Sequence, residues 1–472
     1  MGASQIYGKE VEWIERERRQ GMWTTKSEAT RQREFVATAE AMYVRLREWR
    51  AGHLDASFDE VGDQVTQERQ RLMAVLLGEL AVQPEEVLVA PEDCSQCGKE
   101  MAPKGKQVRG VIHLEGEVRV EREYHYCDEC QRGLFPLDHK LKLTTHAWSQ
   151  RTIEDALRLG VEISSHVRAA ESFAALTRMP MSKSSMHRLV TEYGKRLVNQ
   201  QAAEARAMVE VPKAEAEVVW RERIEPDSEI MAVSSDGVMI NVIGEGWKEV
   251  KTVSVSAVTH TVDATTGEGE VVLAQHSYRA GLWDAATFAP HHWAEACRRG
   301  VDNAKTVVCI SDGAAWIWAI VFMCFAVRTE ILDWWHAMQR LWTIANAHFT
   351  AEKEAALWVA TQKGACAESR LRQVMHAIRL IFPKGTPLPE PVRQAVGYIF
   401  HNRRRMDYAA FRQAGYPIGS GTIESACKTV VQARMKQSGM RWSRHGAHAM
   451  LALRCLLLSE RWDELSTLAP PS

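Results

Sequence analysis

One short pattern occurs twice in this chain: an apolar run, a serine, an aspartate and a glycine. It reads Ile230-Met231-Ala232-Val233-Ser234-Ser235-Asp236-Gly237 and again Val307-Val308-Cys309-Ile310-Ser311-Asp312-Gly313. A short β-branched run closed by a turn residue has the character of a buried strand, and burying it requires strands beside it and helices over it. Each aspartate falls just past its run, where the backbone turns away and frees a carboxylate. Alone, either aspartate reads equally well as a turn or cap residue. A third acid changes the balance: Glu424, in Gly419-Ser420-Gly421-Thr422-Ile423-Glu424-Ser425-Ala426-Cys427-Lys428, lies in the first turn of a helix. One sheet edge can gather all three, and oxygen ligands are what hard divalent cations require. On the expected α-helix Lys428 follows Glu424 by four residues on the same face, suited to a phosphate.

The remaining pattern gives a mixed α/β layout with several modules, as 472 residues require. Residues 8 to 80 are rich in Glu, Arg, Gln, Leu and Ala and read as two or three helices that pair with another copy. Alternation around Gly116 reads as a hairpin over 108–126. Helical spacing returns over 150–200, broken at Pro180-Met181-Ser182 and followed by a capped basic helix from Lys183 to Val198, a helix-turn-helix shape. Strands are expected at 230–233, 253–257, 306–310 and 326–332, and helices near 284–299 and 316–322. The segment 337–416 reads as helical, an insertion between the second and third acids. The domains so drawn are 1–90 helical, 91–146 a zinc ribbon, 147–215 helix-turn-helix-like, and 216–472 catalytic with its all-helical insertion at about 343–416.

Charge offers no global attraction for DNA, since the formal net charge is −1. Locally it does: residues 401–454 carry ten Lys or Arg against Asp407 and Glu424. The N-terminal twenty residues have no apolar signal region, and the longest apolar run, Ala315 to Val327, falls short of the ~18 residues that cross a bilayer. No membrane span and a cytoplasmic location are expected, and six scattered cysteines in mostly apolar settings fit a reducing compartment.

The other four cysteines form two knuckles, Cys94-Ser95-Gln96-Cys97 and Cys127-Asp128-Glu129-Cys130, flanking the hairpin. Four thiolates suit tetrahedral Zn²⁺, and a site closed on all four positions is structural. His113, His125 and His139 are the competing ligands nearby.

Taken together, the stretch Gly415 to Lys428 followed by Arg434-Met435-Lys436-Gln437-Ser438-Gly439-Met440-Arg441-Trp442-Ser443 closely resembles the signature of ISKra-type bacterial insertion-sequence transposases. The similarity extends to Ser234–Gly237, Ser311–Gly313, Ile331-Leu332-Asp333-Trp334-Trp335-His336, and the knuckle from Tyr126 to Asp138, and covers roughly residues 90 to 460. The resemblance implies a ribonuclease-H-like catalytic domain of the DDE class, with Asp236, Asp312 and Glu424 holding two Mg²⁺ or Mn²⁺ ions. It also implies recognition of terminal inverted repeats in double-stranded DNA and of target DNA, and a homo-oligomer acting beside the nucleoid. Asp333 and His336 look like a pair that related transposases place after a strand near the catalytic acids. Gln339 stands where that family leads one to expect an acid.

Lys183, Arg188, Arg434, Lys436, Arg441 and Trp442 are the expected DNA contacts, with Trp442 a stacking candidate. The rival expectations are a non-catalytic zinc-ribbon DNA-binding regulator and a ribonuclease-H-like nuclease without strand transfer. A serine or tyrosine recombinase fits less well, because it would form a covalent adduct and work in chelator.

Overall fold

A computed structural model describes residues 28–81, 93–210, 224–262, 267 and 269–468. The first part of the expected N-terminal helical region, 8–27, lies outside them. The chain divides into two compact units, one of residues 1–159, 166–186 and 470–472, the other of 160–165 and 187–469.

The first unit holds helices α1 (Glu28–Gly52) and α2 (Phe58–Ala81), then β1 (Ala102–His113), β2 (Gly116–Cys127), β3 (Arg132–Leu134) and α3 (Pro136–Lys140). β1 and β2 pair antiparallel with Val111 opposite Val118, so the expected hairpin is present and longer than its alternation suggested. Gly116 turns it at φ 116°, and a Cβ there would lie 2.5 Å from the Gln70 carbonyl. Only glycine permits that approach of α2, which places Ala74 in a small core with Val111, Val118, Val120 and Leu137. Helices α4 (Gln150–Glu162), α5 (His166–Thr177) and α6 (Lys183–Glu210) follow, the first and last crossing the unit boundary. The Ser182 hydroxyl accepts from Ser185 N and caps α6, which continues twelve residues past its expected end.

The second unit is built on a five-stranded mixed sheet in the order β6-β5-β4-β7-β8. These are β4 (Ile230–Val242), β5 (Gly246–Val262), β6 (Gly269–Gly281), β7 (Thr306–Ser311) and β8 (Thr329–Leu332). β4, β5 and β6 run antiparallel in turn, whereas β7 lies parallel to β4 and β8 parallel to β7. Two of these strands depart from the sequence reading. β4 does not stop at Val233; it continues through Asp236 to Val242, because β5 pairs with it residue by residue to Gly246. β6 carried no clear alternation, and Gln275 explains why: it sits at φ 50° opposite a register shift between Val255 and Ala257, which breaks the period of two.

β7 is buried on both faces, as its apolar run required. Val307 and Cys309 face a core completed by α7 (Ala285–Arg298) and α8 (Ala315–Cys324). Val308 and Ile310 face the opposite core, made with α9 (Trp334–His348), α10 (Glu352–Ala367), α11 (Leu371–Ile381), α12 (Glu390–Asn402) and α13 (Tyr408–Gln413). The all-helical segment therefore starts at Trp334, before the expected 343.

The chain then enters α14 (Gly421–Ala426), a π-helical stretch Cys427–Gln432, α15 (Ala433–Met435) and, after a loop, α16 (Arg444–Leu458). The π stretch shifts carbonyls out of the α-helical ladder. Arg454, 6% exposed, takes up two of them, donating Nε to Val430 O at 2.7 Å and Nη2 to Thr429 O.

Candidate metal and active sites

The period of two sets the first half of the acidic site. Val233 pairs with Cys309, and carrying that offset of 76 residues forward puts Asp236 opposite Asp312. The strands hold it beyond the ladder's end, since Ser235 N donates to Ser311 Oγ at 3.0 Å. Ile230 and, on β7, Val308 and Ile310 belong to the core under the helical segment. By alternation Asp236 and Asp312 share that face. Asp236 is thus not a strand-end residue, as its sequence frame suggested, but a mid-strand residue at the point where its parallel partner stops. Asp312 does lie one residue past its strand.

Local bonds fix both carboxylates. Asp236 Oδ1 accepts from Gly237 N at 2.7 Å, and Cys427 Sγ donates to its Oδ2 at 3.6 Å. Asp312 Oδ1 accepts from Ala314 N at 2.9 Å. Burial, with the nearby Asp312 charge, pushes the Asp236 carboxyl above its usual range. Gly313 N donates to the Tyr398 hydroxyl at 3.1 Å. Burial and the Asp312 charge push that phenol up to about 12. Nothing in the sequence singled Tyr398 out.

The second half is set by Asp333, at the end of β8 and wholly buried. Asp333 N donates to Ser311 O at 2.9 Å, joining it to the β7 end. Its Oδ1 accepts from His336 N and His336 Nδ1, both at 2.8 Å, and its Oδ2 accepts from Ser420 N at 2.6 Å and Ser420 Oγ at 2.8 Å. Burial raises the Asp333 carboxyl, but these four donors outweigh it and hold the group below the usual carboxylate range. The hydrogen bond that His336 donates to Asp333 raises its imidazole, against burial, and the Asp333, Asp312 and Glu424 charges add to the rise. The Ser420 clasp, with Trp334 N donating to Ile418 O at 3.0 Å, draws the 417–420 loop to the sheet end. Glu424 follows four residues later on α14, which packs on β4 and β5. Asp333, His336 and Glu424 offer ligand atoms that all lie within 4.8 Å of one another.

The donor chemistry fits divalent cations. Asp236 and Asp312 press their charges together, and Glu424 and Asp312 both act on His336. Such repulsion among half-buried acids is what a bound cation relieves.

The four knuckle cysteines of the first unit also gather within 4.8 Å of one another and can hold a metal such as zinc. Tetrahedral bonds of ~2.3 Å put sulfurs about 3.8 Å apart, and Cys97 Sγ lies 3.6 Å from Cys127 Sγ. In the first knuckle Gly98 N donates to Cys94 O at 2.8 Å. The residue after each pair, Gly98 at φ 68° and Gln131 at φ 52°, takes the left-handed turn. Neither competing histidine with a described contact joins the sulfurs: His125 meets Glu123 and His113 accepts from Glu115 N.

Among the expected DNA contacts, Lys183, Arg188, Lys436 and Arg441 are exposed. Arg434 is not: it is 2% exposed with its guanidinium over the Trp442 ring, and burial lowers it to about 10. Its burial leaves it outside the exposed basic surface. Trp442 is half-buried and tied down, its Nε1 donating to Met435 O at 3.1 Å and its backbone bridging to Val242. The exposed tryptophan beside the acids is Trp335, at 57%. Lys428 is exposed, at the start of the π-helical stretch that follows Glu424.

A mixed α/β unit with converging acids and a unit carrying a four-cysteine cluster thus define this chain. Residues 54–279 match the model of an uncharacterised protein family, UPF0236. The match takes in the cysteine knuckles and Asp236 and stops short of Asp312, Asp333 and Glu424. No curated protein matches the chain. No helix among the described residues is long and apolar enough to cross a membrane.

Proposed function

We propose that this chain is the DNA transposase of an insertion sequence, a DDE enzyme with a ribonuclease-H-like core. The observation that carries the reading is the register that sets Asp236 and Asp312 opposite each other on one sheet face, with Ser420, four residues before Glu424, clasped to the same sheet end by Asp333. A mixed sheet that brings two aspartates side by side on adjacent parallel strands, with a helix-borne glutamate at the same end, is in keeping with the ribonuclease-H-like core that the resemblance implies.

Asp236, Asp312 and Glu424 hold two Mg²⁺ or Mn²⁺ ions, which when bound neutralise charge on the attacking and leaving oxygens of a phosphodiester. Water attacks the phosphodiester at the element end, whose 3′-oxygen leaves as a free hydroxyl. That hydroxyl then attacks a target phosphodiester, whose own 3′-oxygen leaves as the new bond forms. The carboxylates would fix the cations against which these oxygens are aligned. Asp333 keeps Glu424 in place, and Gly313 with Tyr398 keeps Asp312 in place. The four cysteines hold a structural Zn²⁺, and Lys183, Arg188, Lys436 and Arg441 contact phosphates of the inverted repeats. The active form is a homo-oligomer on two DNA ends.

The test uses the full chain with end-containing duplex DNA and a target plasmid. Single alanine substitutions at Asp236, Asp312 and Glu424 are expected to abolish cleavage in Mg²⁺ or Mn²⁺ while leaving folding and DNA binding intact. Cleavage without joined products would make the chain a nuclease, and binding without any cleavage would make it a regulator.

A further inference from the structure

His336 is held in a single orientation by a group that has no capacity to spare. Both oxygens of Asp333 are filled, Oδ1 by His336 N and Nδ1 and Oδ2 by Ser420 N and Oγ. Asp333 is also wholly buried. A carboxylate so committed orients its neighbours and has little left for a cation, although its atoms lie in the same small cluster. The bond at Nδ1 leaves Nε2 as the open ring nitrogen of His336. That side chain is 27% exposed and grouped with Glu424.

We propose that His336 Nε2 is a cation ligand alongside Glu424, with Asp333 as its positioning residue, so that one of the divalent ions sits in a mixed nitrogen and oxygen shell. This rests on the metal-dependent reading above and deepens it. A carboxylate that fixes a histidine through one nitrogen and presents the other to an ion is a recurrent way of tuning a metal site. Its consequence is selectivity. Mg²⁺ favours a near-ideal octahedron of oxygens, whereas first-row transition ions accept imidazole. The site therefore favours Mn²⁺ over Mg²⁺ more than an all-carboxylate site would.

The experiment is pulsed electron paramagnetic resonance of Mn²⁺ bound to the full chain, without DNA and without turnover. The expected result is nitrogen-14 modulation that converts to a nitrogen-15 pattern when the protein is grown with [15N]histidine. In His336→Asn, whose amide nitrogen keeps the bond to Asp333 but removes Nε2, the modulation is lost. Mn²⁺ affinity there falls by about tenfold or more, and the preference over Mg²⁺ narrows. Mn²⁺ bound to the wild-type chain with no histidine modulation would overturn the proposal and leave the carboxylate reading standing. So would modulation that persists in His336→Asn. Mn²⁺ binding unchanged by removal of Asp236, Asp312 and Glu424 would instead sink the metal-dependent reading itself. The labelling arm needs no variant, so the absence of histidine modulation overturns the proposal even if the substitution unfolds the chain.

Discussion

Replacing Asp333 by Asn keeps the shape of the side chain and halves what it can accept. Four donors converge on two oxygens in the wild-type chain, from His336 N, His336 Nδ1, Ser420 N and Ser420 Oγ. An amide has one oxygen, so whichever way it turns, one pair of donors meets an NH₂ group. A hydrogen bond to a charged group contributes about 1.5–3 kcal/mol, and a buried donor left without an acceptor costs a similar amount. Two such losses in a site with no exposure give a destabilisation of about 3–5 kcal/mol. At about 2–4 °C per kcal/mol for a large domain, the melting temperature falls by on the order of 10 °C. The pH dependence has a matching sign. The depressed carboxyl contributes stability that is present above its unfolded pKa and is lost as pH falls through the folded one. Urea unfolding of the two proteins at neutral pH measures the difference, and adding Ser420→Ala tests its origin. Ser420→Ala should cost less in the Asn background than alone, because the hydroxyl there faces either an NH₂ group or a neutral amide oxygen, each a poorer partner than the carboxylate. A variant within about 1 kcal/mol of wild type, or additive costs in the cycle, would refute the clasp as the anchor of the Glu424 loop.

Gly313→Ala places a Cβ 2.3 Å from the Tyr398 ring. It should cost about 1–3 kcal/mol and lower metal-dependent cleavage, with Tyr398→Ala in the same chain recovering part of the stability. His291 and His292 are buried with their imidazoles pushed down to about 3. Their contribution is therefore whole above the unfolded value of ~6.5 and is lost as pH falls from there toward about 3. The loss at pH 5 is about 2 kcal/mol each, and His292→Gln should flatten that slope in chemical denaturation. Removing metal with a chelator, or Cys97→Ser, should release one zinc per chain in a dye assay. It should also abolish amide exchange protection across residues 102–134, as expected where metal binding supplies about 10–16 kcal/mol of folding energy.

What could be read in advance was whatever repeats with a period or a fixed spacing. β7 announced itself because both its faces are apolar, and the knuckles because sulfur spacing has few other uses. The upper half of β4 did not, since Ser234, Asp236 and Asn241 look like a turn until β5 is seen to pair with them. Tyr398, Ser420 and Arg454 act through hydrogen bonds across 85, 87 and 24 residues, and no local pattern carries such partners. Arg434 misled because a buried guanidinium under a tryptophan and a solvent-facing one have the same letters around them.

The π-helical stretch after Glu424 has a consequence for how this region tolerates change in length. It winds a surplus residue into the turn between the glutamate and the buried Met435. Deleting one exposed residue there, Lys428 or Thr429, would restore ordinary α-helical winding and leave the glutamate and Met435 on the faces they now hold, whereas the same deletion in an unbulged α-helix would turn one against the other by roughly 100°. A gap here is thus absorbed by the winding instead of being passed on to the third acid.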